Sequence, residues 1–154
     1  MLRPGALMLA AACGSEPPPA AQPEAPPEPP APTLEATGAF LFAPITEVQA
    51  GGYFVMHNRG ELPDTIVEIA AEWAERGMMH ETREEGGRVR MSHLPLLAVP
   101  ARDSVVLRPG GIHVMLMRLS RMPVAGDTVE WSLRMSSGAT VRVVAPVVAY
   151  GQEP

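Results

Sequence analysis

Histidine and methionine are the residues of this 154-residue chain whose side chains could do unusual chemistry. All four histidines, and eight of the ten methionines, fall between Met56 and Met135. Imidazole nitrogen and thioether sulfur are both metal ligands, although the usual role of methionine is to fill irregular gaps in a core. Met56 and Met79 sit in alternating patterns that suit core filling. Spacing must therefore separate ligands from packing residues among the others.

One predicted hairpin places two histidines opposite each other. If Gly86-Gly87 form a two-residue turn, the pairing of the flanking strands is set, and His80 faces His93. Met91 then lies diagonally across from His80 on the same face. Directly opposed residues are about 5 Å apart and diagonal ones about 7–8 Å, which is within the bridging range of one metal ion. This arrangement depends on the turn, because a slip of one residue would move these side chains to opposite faces.

A second predicted hairpin turns at Pro109-Gly110-Gly111. The strand that follows carries His113, Met115 and Met117, and the strand period of two puts all three side chains on one face. Each of the two hairpins therefore presents an imidazole and a thioether.

The spacing of four of these residues resembles a known signature. His80 is followed after ten residues by Met91, and Met91 is followed after 21 residues by His113-Val114-Met115. This pattern is similar to the His-x10-Met-x21-His-x-Met signature of the PCu(A)C family of periplasmic copper chaperones. The surrounding segments that also resemble this family are Met79-His80-Glu81, Val89-Arg90-Met91, residues 107–117 (LRPGGIHVMLM) and Ala125-Gly126-Asp127-Thr128-Val129.

The resemblance implies a cupredoxin-like Greek-key β-sandwich over residues 38–154 that holds one Cu(I) ion. The ligands that it implies, called here the His/Met set, are His80, Met91, His113 and Met115. It also implies delivery of copper to cytochrome oxidase, towards its second subunit and often alongside a Sco-type thiol protein. The donor types agree, since thioether is soft and suits Cu(I), while imidazole is borderline. A blue-copper electron carrier would need a cysteine thiolate, and residues 38–154 contain no cysteine.

Three further residues could assist the site. His93 lies outside the family signature, and it is either an extra ligand or a solvated strand residue. Met78 and Met117 share faces with the His/Met set, and they could be secondary ligands, shield the site or only pack. His57 lies on another strand, and we interpret it as a surface histidine.

The body of the chain carries eight apolar or alternating segments, separated by turn signals such as Asn58-Arg59-Gly60 and Ala125-Gly126-Asp127. Short strands at this spacing predict an all-β antiparallel sandwich. Between Ile66 and Arg76 the pattern fits a helix as well as a strand, and we predict a strand followed by a single turn. The predicted strands are Gly52–His57, Thr65–Ala70, Met78–Arg83, Arg88–His93, Ser104–Leu107, Ile112–Leu119, Thr128–Met135 and Thr140–Val147.

The first 37 residues predict export and anchoring. Residues 1–12 (MLRPGALMLAAA) resemble a signal peptide, and Leu9 to Cys13 resembles a bacterial lipobox, whose cysteine is lipidated and becomes the first mature residue. Residues 13–37 are rich in proline, glutamate and alanine, and we predict a disordered, semi-rigid tether there. The protein is thus expected to be periplasmic or otherwise extracytoplasmic and lipid-anchored to a membrane. The alternative is a stray cysteine in a cytosolic chain.

Composition and motifs exclude several classes of function. The chain has 12 arginines, no lysine and a net charge of -5, so it lacks the basic stripe by which proteins bind nucleic acid. It shows no nucleophile motif and no phosphate-binding loop, and we predict no enzymatic activity. Two alternatives to copper delivery stay open: a periplasmic copper buffer or resistance protein, and a metal-free sandwich-fold binding lipoprotein.

Overall fold

A computed structural model describes residues 33–154, which fold into ten strands. Within these residues there is no helix, and hence none that could cross a membrane. The strands are β1 (Leu34–Phe42), β2 (Gln49–Asn58), β3 (Asp64–Ala70), β4 (Ala74–Glu85), β5 (Arg88–Leu94), β6 (Leu97–Val99), β7 (Asp103–Leu107), β8 (Ile112–Leu119), β9 (Thr128–Met135) and β10 (Thr140–Val148).

The strands pair in the order β5-β4-β8-β2-β1-β10-β9-β3-β6, and β7 pairs with the second half of β2. We call the strands from β5 to β10 sheet A, and β10, β9, β3 and β6 sheet B, because β10 is shared by both. All pairs are antiparallel except β1 with β10, where Leu41 lies beside Val147. The antiparallel prediction therefore holds for the other pairings and differs at this one.

The core lies on the inward face of both sheets. On β8 the inward residues Val114 and Leu116 are fully buried, and on sheet B the ring of Trp131 lies 6.1 Å from that of Phe54. Burying a valine or leucine side chain stabilises the fold by roughly 1.5–3 kcal/mol. The alternation of apolar residues along a strand therefore decides which of its faces turns inward. Met56 and Met79 are both buried in this core, as their sequence pattern predicted.

The turn between β4 and β5 sets the register of the strands that carry the candidate ligands. Gly86 and Gly87 have φ angles of 60° and 73°, and a two-residue hairpin turn with positive φ at both positions favours glycine. Glu85 consequently pairs with Arg88. The predicted turn and register are confirmed.

Two strands were not predicted. β1 begins at Leu34, so residues 34–37 of the predicted tether belong to the sandwich, where they pair with β2. The alternation of β1 is interrupted, because its register against β2 shifts between Thr37 and Phe40, and Gly38 between them has a φ of 59°. β6 has only three residues. The predicted signal peptide, Cys13 and the tether up to residue 32 lie outside the described residues.

The segment between Ile66 and Arg76, whose pattern fits a helix as well as a strand, forms a strand followed by a tight turn, as predicted. β3 ends at Ala70, a bridge between Ala71 and Ala74 closes a tight turn, and β4 starts at once. No helix forms here because both flanking strands pair within a sheet, β3 with β9 and β4 with β8.

Candidate metal site

Three histidines from three neighbouring strands form a row across sheet A. His80 on β4 pairs with His93 on β5 and also with His113 on β8. The ring centroid of His80 lies 5.9 Å from each of the other two rings. The predicted pairing of His80 with His93 is confirmed. Sequence reasoning missed the second pairing, because nothing in the chain signals that β4 and β8 are neighbours.

The methionines flank this histidine row on the same face. Met115 lies two residues beyond His113 on β8 and pairs with Met78 of β4. Met91 on β5 pairs with Thr82, two residues from His80. Since side chains alternate along a strand, the four members of the His/Met set share one face of sheet A.

An open cavity of about 670 Å³ lies over this face. Three members of the His/Met set line it, namely Met91, His113 and Met115. His80 is not among the lining residues, and it lies beside the cavity on the strand between Met91 and His113. Three members of the set therefore line a space that is open to solvent, and His80 lies on the strand between them.

The ring of His113 is oriented by the backbone. It is buried, and its Nδ1 lies 3.0 Å from the carbonyl oxygen of Gly111. A carbonyl oxygen can only accept a hydrogen bond, so Nδ1 donates and carries the proton. In the neutral ring this leaves the lone pair on Nε2, which is the arrangement typical of a metal-binding histidine whose other nitrogen is held by a backbone carbonyl.

His80 carries a buried nitrogen that lacks a partner. Within residues 33–154, its Nδ1 accepts no hydrogen bond and donates none, although it is buried. Burial first, and then the neighbouring His113 and His93, lower the pKa of His80, which favours the neutral imidazole that a metal ion needs. An unsatisfied buried polar atom costs about 1–3 kcal/mol, and a bound ion would supply the missing partner.

The donor types decide which ion fits. In the part of the chain that the structure describes, no three His, Cys, Asp or Glu side chains are grouped so that they could bind one ion by themselves. A site on this face therefore needs sulfur from methionine beside its imidazoles. Thioether sulfur is a soft donor, and two imidazoles with two thioethers suit Cu(I) better than a hard cation.

The two sides of the site differ in exposure. Met115 on β8 is 5% exposed, whereas Met91 on the edge strand β5 is 55% exposed. Gly51 of β2 pairs with Met115, and a Cβ atom at Gly51 would lie 2.8 Å from the hydroxyl of Tyr53. The β8 side is thus closely packed, and the β5 side is open to exchange.

An aromatic wall, formed by Phe40, Phe42, Tyr53 and Tyr150, borders the site. Phe42 and Tyr150 stack with their centroids 4.4 Å apart, and Tyr53 lies 6.3 Å from His113. Burial, followed by the proximity of Tyr150 and Glu153, raises the pKa of Tyr53, so its hydroxyl stays protonated. Sequence reasoning missed this wall, because its members come from β1, β2 and the C-terminal end.

The remaining histidine and methionines lie apart from the cavity. His57 is half-buried on β2, and its Nε2 hydrogen-bonds the Thr37 hydroxyl at 2.9 Å. Met78 and Met117 share a face with the His/Met set, as predicted, but neither lines the cavity. Met117 pairs with Arg76 and with Gln49, away from His80. The position of Met117 favours a packing role, whereas Met78 lies beside Met115 and stays a candidate secondary ligand.

Comparisons with known proteins point to a lipoprotein family. The model of a family described as "Putative lipoprotein LpqE-like" matches residues 29–147. "Putative lipoprotein Lxx21020" of Leifsonia xyli subsp. xyli (strain CTCB07) is 30% identical over 115 residues, covering 74% of this chain. The match covers 64% of that relative, so the chain spans less than two-thirds of its length.

Solved structures share the fold. The solution structure of CuI-DR1885 from Deinococcus radiodurans is 32% identical, with a TM-score of 0.61, and the match covers 78% of this chain and 80% of that one. The copper-bound PCuAC domain from PmoF2 has a TM-score of 0.65 and covers 77% and 94% of the two chains, and at 23% identity it bears on the fold alone. The predicted cupredoxin-like β-sandwich and the resemblance to the PCu(A)C family are confirmed.

Proposed function

Because this chain belongs to the LpqE-like family and has the fold of PCuAC domains, we propose that it binds one Cu(I) ion through the His/Met set and passes it to an acceptor protein. As predicted, it is a binding protein and not an enzyme. The observation that carries the proposal is the double pairing of His80, which brings the ligands of the β4–β5 hairpin and those of β8 onto one face. The predicted second hairpin was wrong, because β7 and β8 each pair with β2 and not with each other.

The choice of Cu(I) follows from the donors and from the compartment. Thioethers carry no proton to lose, and unlike thiols they cannot be captured as disulfides in an oxidising environment. The unpartnered Nδ1 of His80 and the oriented ring of His113 supply two imidazole donors. The likeness to CuI-DR1885 supports the same oxidation state.

Delivery follows from the open side of the site. Met91 is exposed on an edge strand, so an incoming ligand can replace its sulfur first while the buried β8 donors still hold the ion. Transfer by stepwise ligand exchange keeps copper bound throughout. We propose the second subunit of cytochrome oxidase, or a Sco-type protein, as the acceptor.

The place of action is proposed to be the extracytoplasmic face of a membrane. The matched family and the relative from Leifsonia xyli are both described as lipoproteins, which supports lipidation at Cys13 after removal of residues 1–12. Residues 14–33 lie between Cys13 and the first described strand, and they would set the reach of the tether. This reach would hold the site away from the lipid surface.

The test is an anaerobic Cu(I) titration of the full chain against a coloured Cu(I) chelator. Every protein carries Cys13→Ser so that the thiol cannot bind the ion. The parent should withhold one equivalent, and His80→Ala and Met115→Ala should surrender it. Met122→Ala, an exposed methionine outside the cavity, is the matched control and should behave as the parent.

Failure of the parent to compete would contradict Cu(I) binding and leave a metal-free binding lipoprotein. A second step separates chaperone from buffer: the loaded protein is mixed with the metal-free copper domain of an oxidase second subunit. Transfer within minutes supports delivery. Retention of the ion by the loaded protein would instead favour a copper buffer or resistance protein.

A further inference from the structure

We infer that residues 149–154, called here the strap, cover the β8 side of the candidate metal site and set the rate at which copper enters and leaves it. The strap follows directly after β10. It acts through Tyr150, a positioning residue that holds the strap on the sandwich and is not itself a ligand. The statement about copper rates rests on the proposed function, whereas the statement that the strap covers the site does not.

The burial of the two proposed ligands on β8 indicates that the outer face of sheet A is covered there. His113 and Met115 are each 5% exposed. Their side chains point away from the core, because they alternate along β8 with the core residues Val114 and Leu116. The outer face of an antiparallel sheet is commonly solvated. A segment outside the sheet must therefore lie over this part of it.

Two residues of the strap line the cavity over this face. Tyr150 and Glu153 are both among its lining residues, together with the two buried ligands of β8. Burial first, and then the proximity of Tyr150 and Glu153, raise the pKa of Tyr53, so both strap residues lie near that ring. Tyr53 in turn lies 6.3 Å from His113. The strap therefore reaches the surroundings of the buried imidazole.

The strap is held by an aromatic stack rather than by hydrogen bonds to the sheets. The ring of Tyr150 stacks on that of buried Phe42, with an interplanar angle of 12° and 4.4 Å between the centroids. Among residues 33–154, the one hydrogen bond of the strap is internal, from the N–H of Gln152 to the carbonyl oxygen of Ala149. Segments that are held by so few contacts open at a low cost in free energy.

The strap can open without disturbing either sheet. It begins after Val148, the last residue of β10 that pairs with β1, so loss of the stack leaves every strand pairing intact. Gly151 has a φ of 82°, a conformation that glycine adopts without strain. The other segment that lines the cavity, residues 44–46, is fixed at both ends by β1 and β2. The strap is therefore the part of the cover that can move.

Removal of the Tyr150 ring should raise the rates of copper loading and release together. The usual strength of one aromatic pair corresponds to a change of about twofold to tenfold in the population of the open strap. Both rates should rise by that factor in Tyr150→Ala, and the Cu(I) affinity, which is their ratio, should stay unchanged. Tyr150→Phe keeps the stacked ring and should behave as the parent.

The first measurement needs no copper. Diethyl pyrocarbonate reacts with accessible neutral imidazoles, and mass spectrometry locates the modified histidines in the metal-free full chain, in the Cys13→Ser background. His113 should be modified faster in Tyr150→Ala than in the parent, by the factor given above. His93, which is exposed, should react at the same rate in both. Val144→Ala, an exposed residue of β10 outside this cavity, is the matched control.

The second measurement follows anaerobic Cu(I) loading and release by stopped flow against the coloured chelator. Faster loading and release at unchanged affinity in Tyr150→Ala support the kinetic role of the strap. A loss of affinity without a gain in the loading rate would overturn that role, because Tyr150 would then contribute to binding itself. Circular dichroism of each metal-free variant checks that the fold is retained.

The inference and the proposed function fail in different ways. An unchanged rate of His113 modification in Tyr150→Ala would overturn the strap, whatever the protein does with copper. Faster modification of His113 in a parent chain that binds no Cu(I) would support the cover and contradict the proposed function.

Discussion

Two polar sites in this sandwich differ in how completely their atoms are satisfied. At the start of β3, buried Asp64 accepts hydrogen bonds from the hydroxyls of Ser136 and Ser137 and from the backbone N–H groups of Thr65 and Ser137, at 2.6–3.2 Å. On β4, the buried Nδ1 of His80 has no such partner among residues 33–154. The first arrangement ties a strand to a turn. The second leaves binding capacity unused, which supports the proposal that His80 binds a ligand.

Removal of the Asp64 carboxylate and removal of the His80 imidazole should change the free energy of unfolding in opposite directions. Asp64→Ala should lower the free energy of unfolding by about 3 kcal/mol, because it leaves several donors of the β9–β10 turn without an acceptor. Urea denaturation of the metal-free protein measures this. Asp103→Ala is a matched control, since Asp103 is exposed, and its removal should cost well under half as much.

The β8 side and the β5 side of the candidate metal site should also contribute differently to the free energy of unfolding. Met115→Ala should lower the free energy of unfolding of the metal-free protein by about 2–3 kcal/mol, because a buried side chain is lost and a cavity remains. Met91→Ala at the exposed edge should change it by less than about 0.5 kcal/mol. Equal losses in urea denaturation would show that β5 is packed as tightly as β8.

Stability at low pH should depend on Asp64. Burial raises its pKa, but the side-chain bonds from Ser137 and Ser136 and the backbone bonds together lower it below the ordinary value of 3.8. The stabilising contribution is therefore present above pH 3.8 and is lost as the pH falls through the lower pKa of the folded state. Thermal unfolding between pH 5 and pH 2 should show this loss, and Asp64→Asn should flatten that part of the curve.

Loss of the His80 imidazole should change the stability of the metal-free protein least, and the change should be stabilising. His80→Leu should leave the metal-free protein as stable as the parent or about 1 kcal/mol more stable, because an unsatisfied buried nitrogen is replaced by an apolar group. Cu(I) binding should be lost at the same time. A clear destabilisation in urea would mean that His80 contributes packing or a solvent-mediated bond, and the contrast with Asp64 would disappear.

Features that depend only on neighbouring residues could be predicted from the sequence. The Gly86-Gly87 turn sets the β4–β5 register through its own dihedral angles, so the pairing of His80 with His93 could be predicted from a few adjacent residues. The common face of His113 and Met115 follows from the strand period alone. The weak alternation of β1 concealed a strand, because a shift near Gly38 breaks its pattern.

The donor types, their spacing and the register of the β4–β5 hairpin follow from short stretches of the chain. The place of β4 between β5 and β8 depends on the strand order of the whole sandwich, which sets His113 beside His80 and leaves the Nδ1 of His80 buried without a partner among residues 33–154. The same strand order makes β5 an edge, so that Met91 and His93 are exposed while Met115 is not. The physical reason is that turns act over neighbouring residues, whereas strand order is set by burial of the whole core.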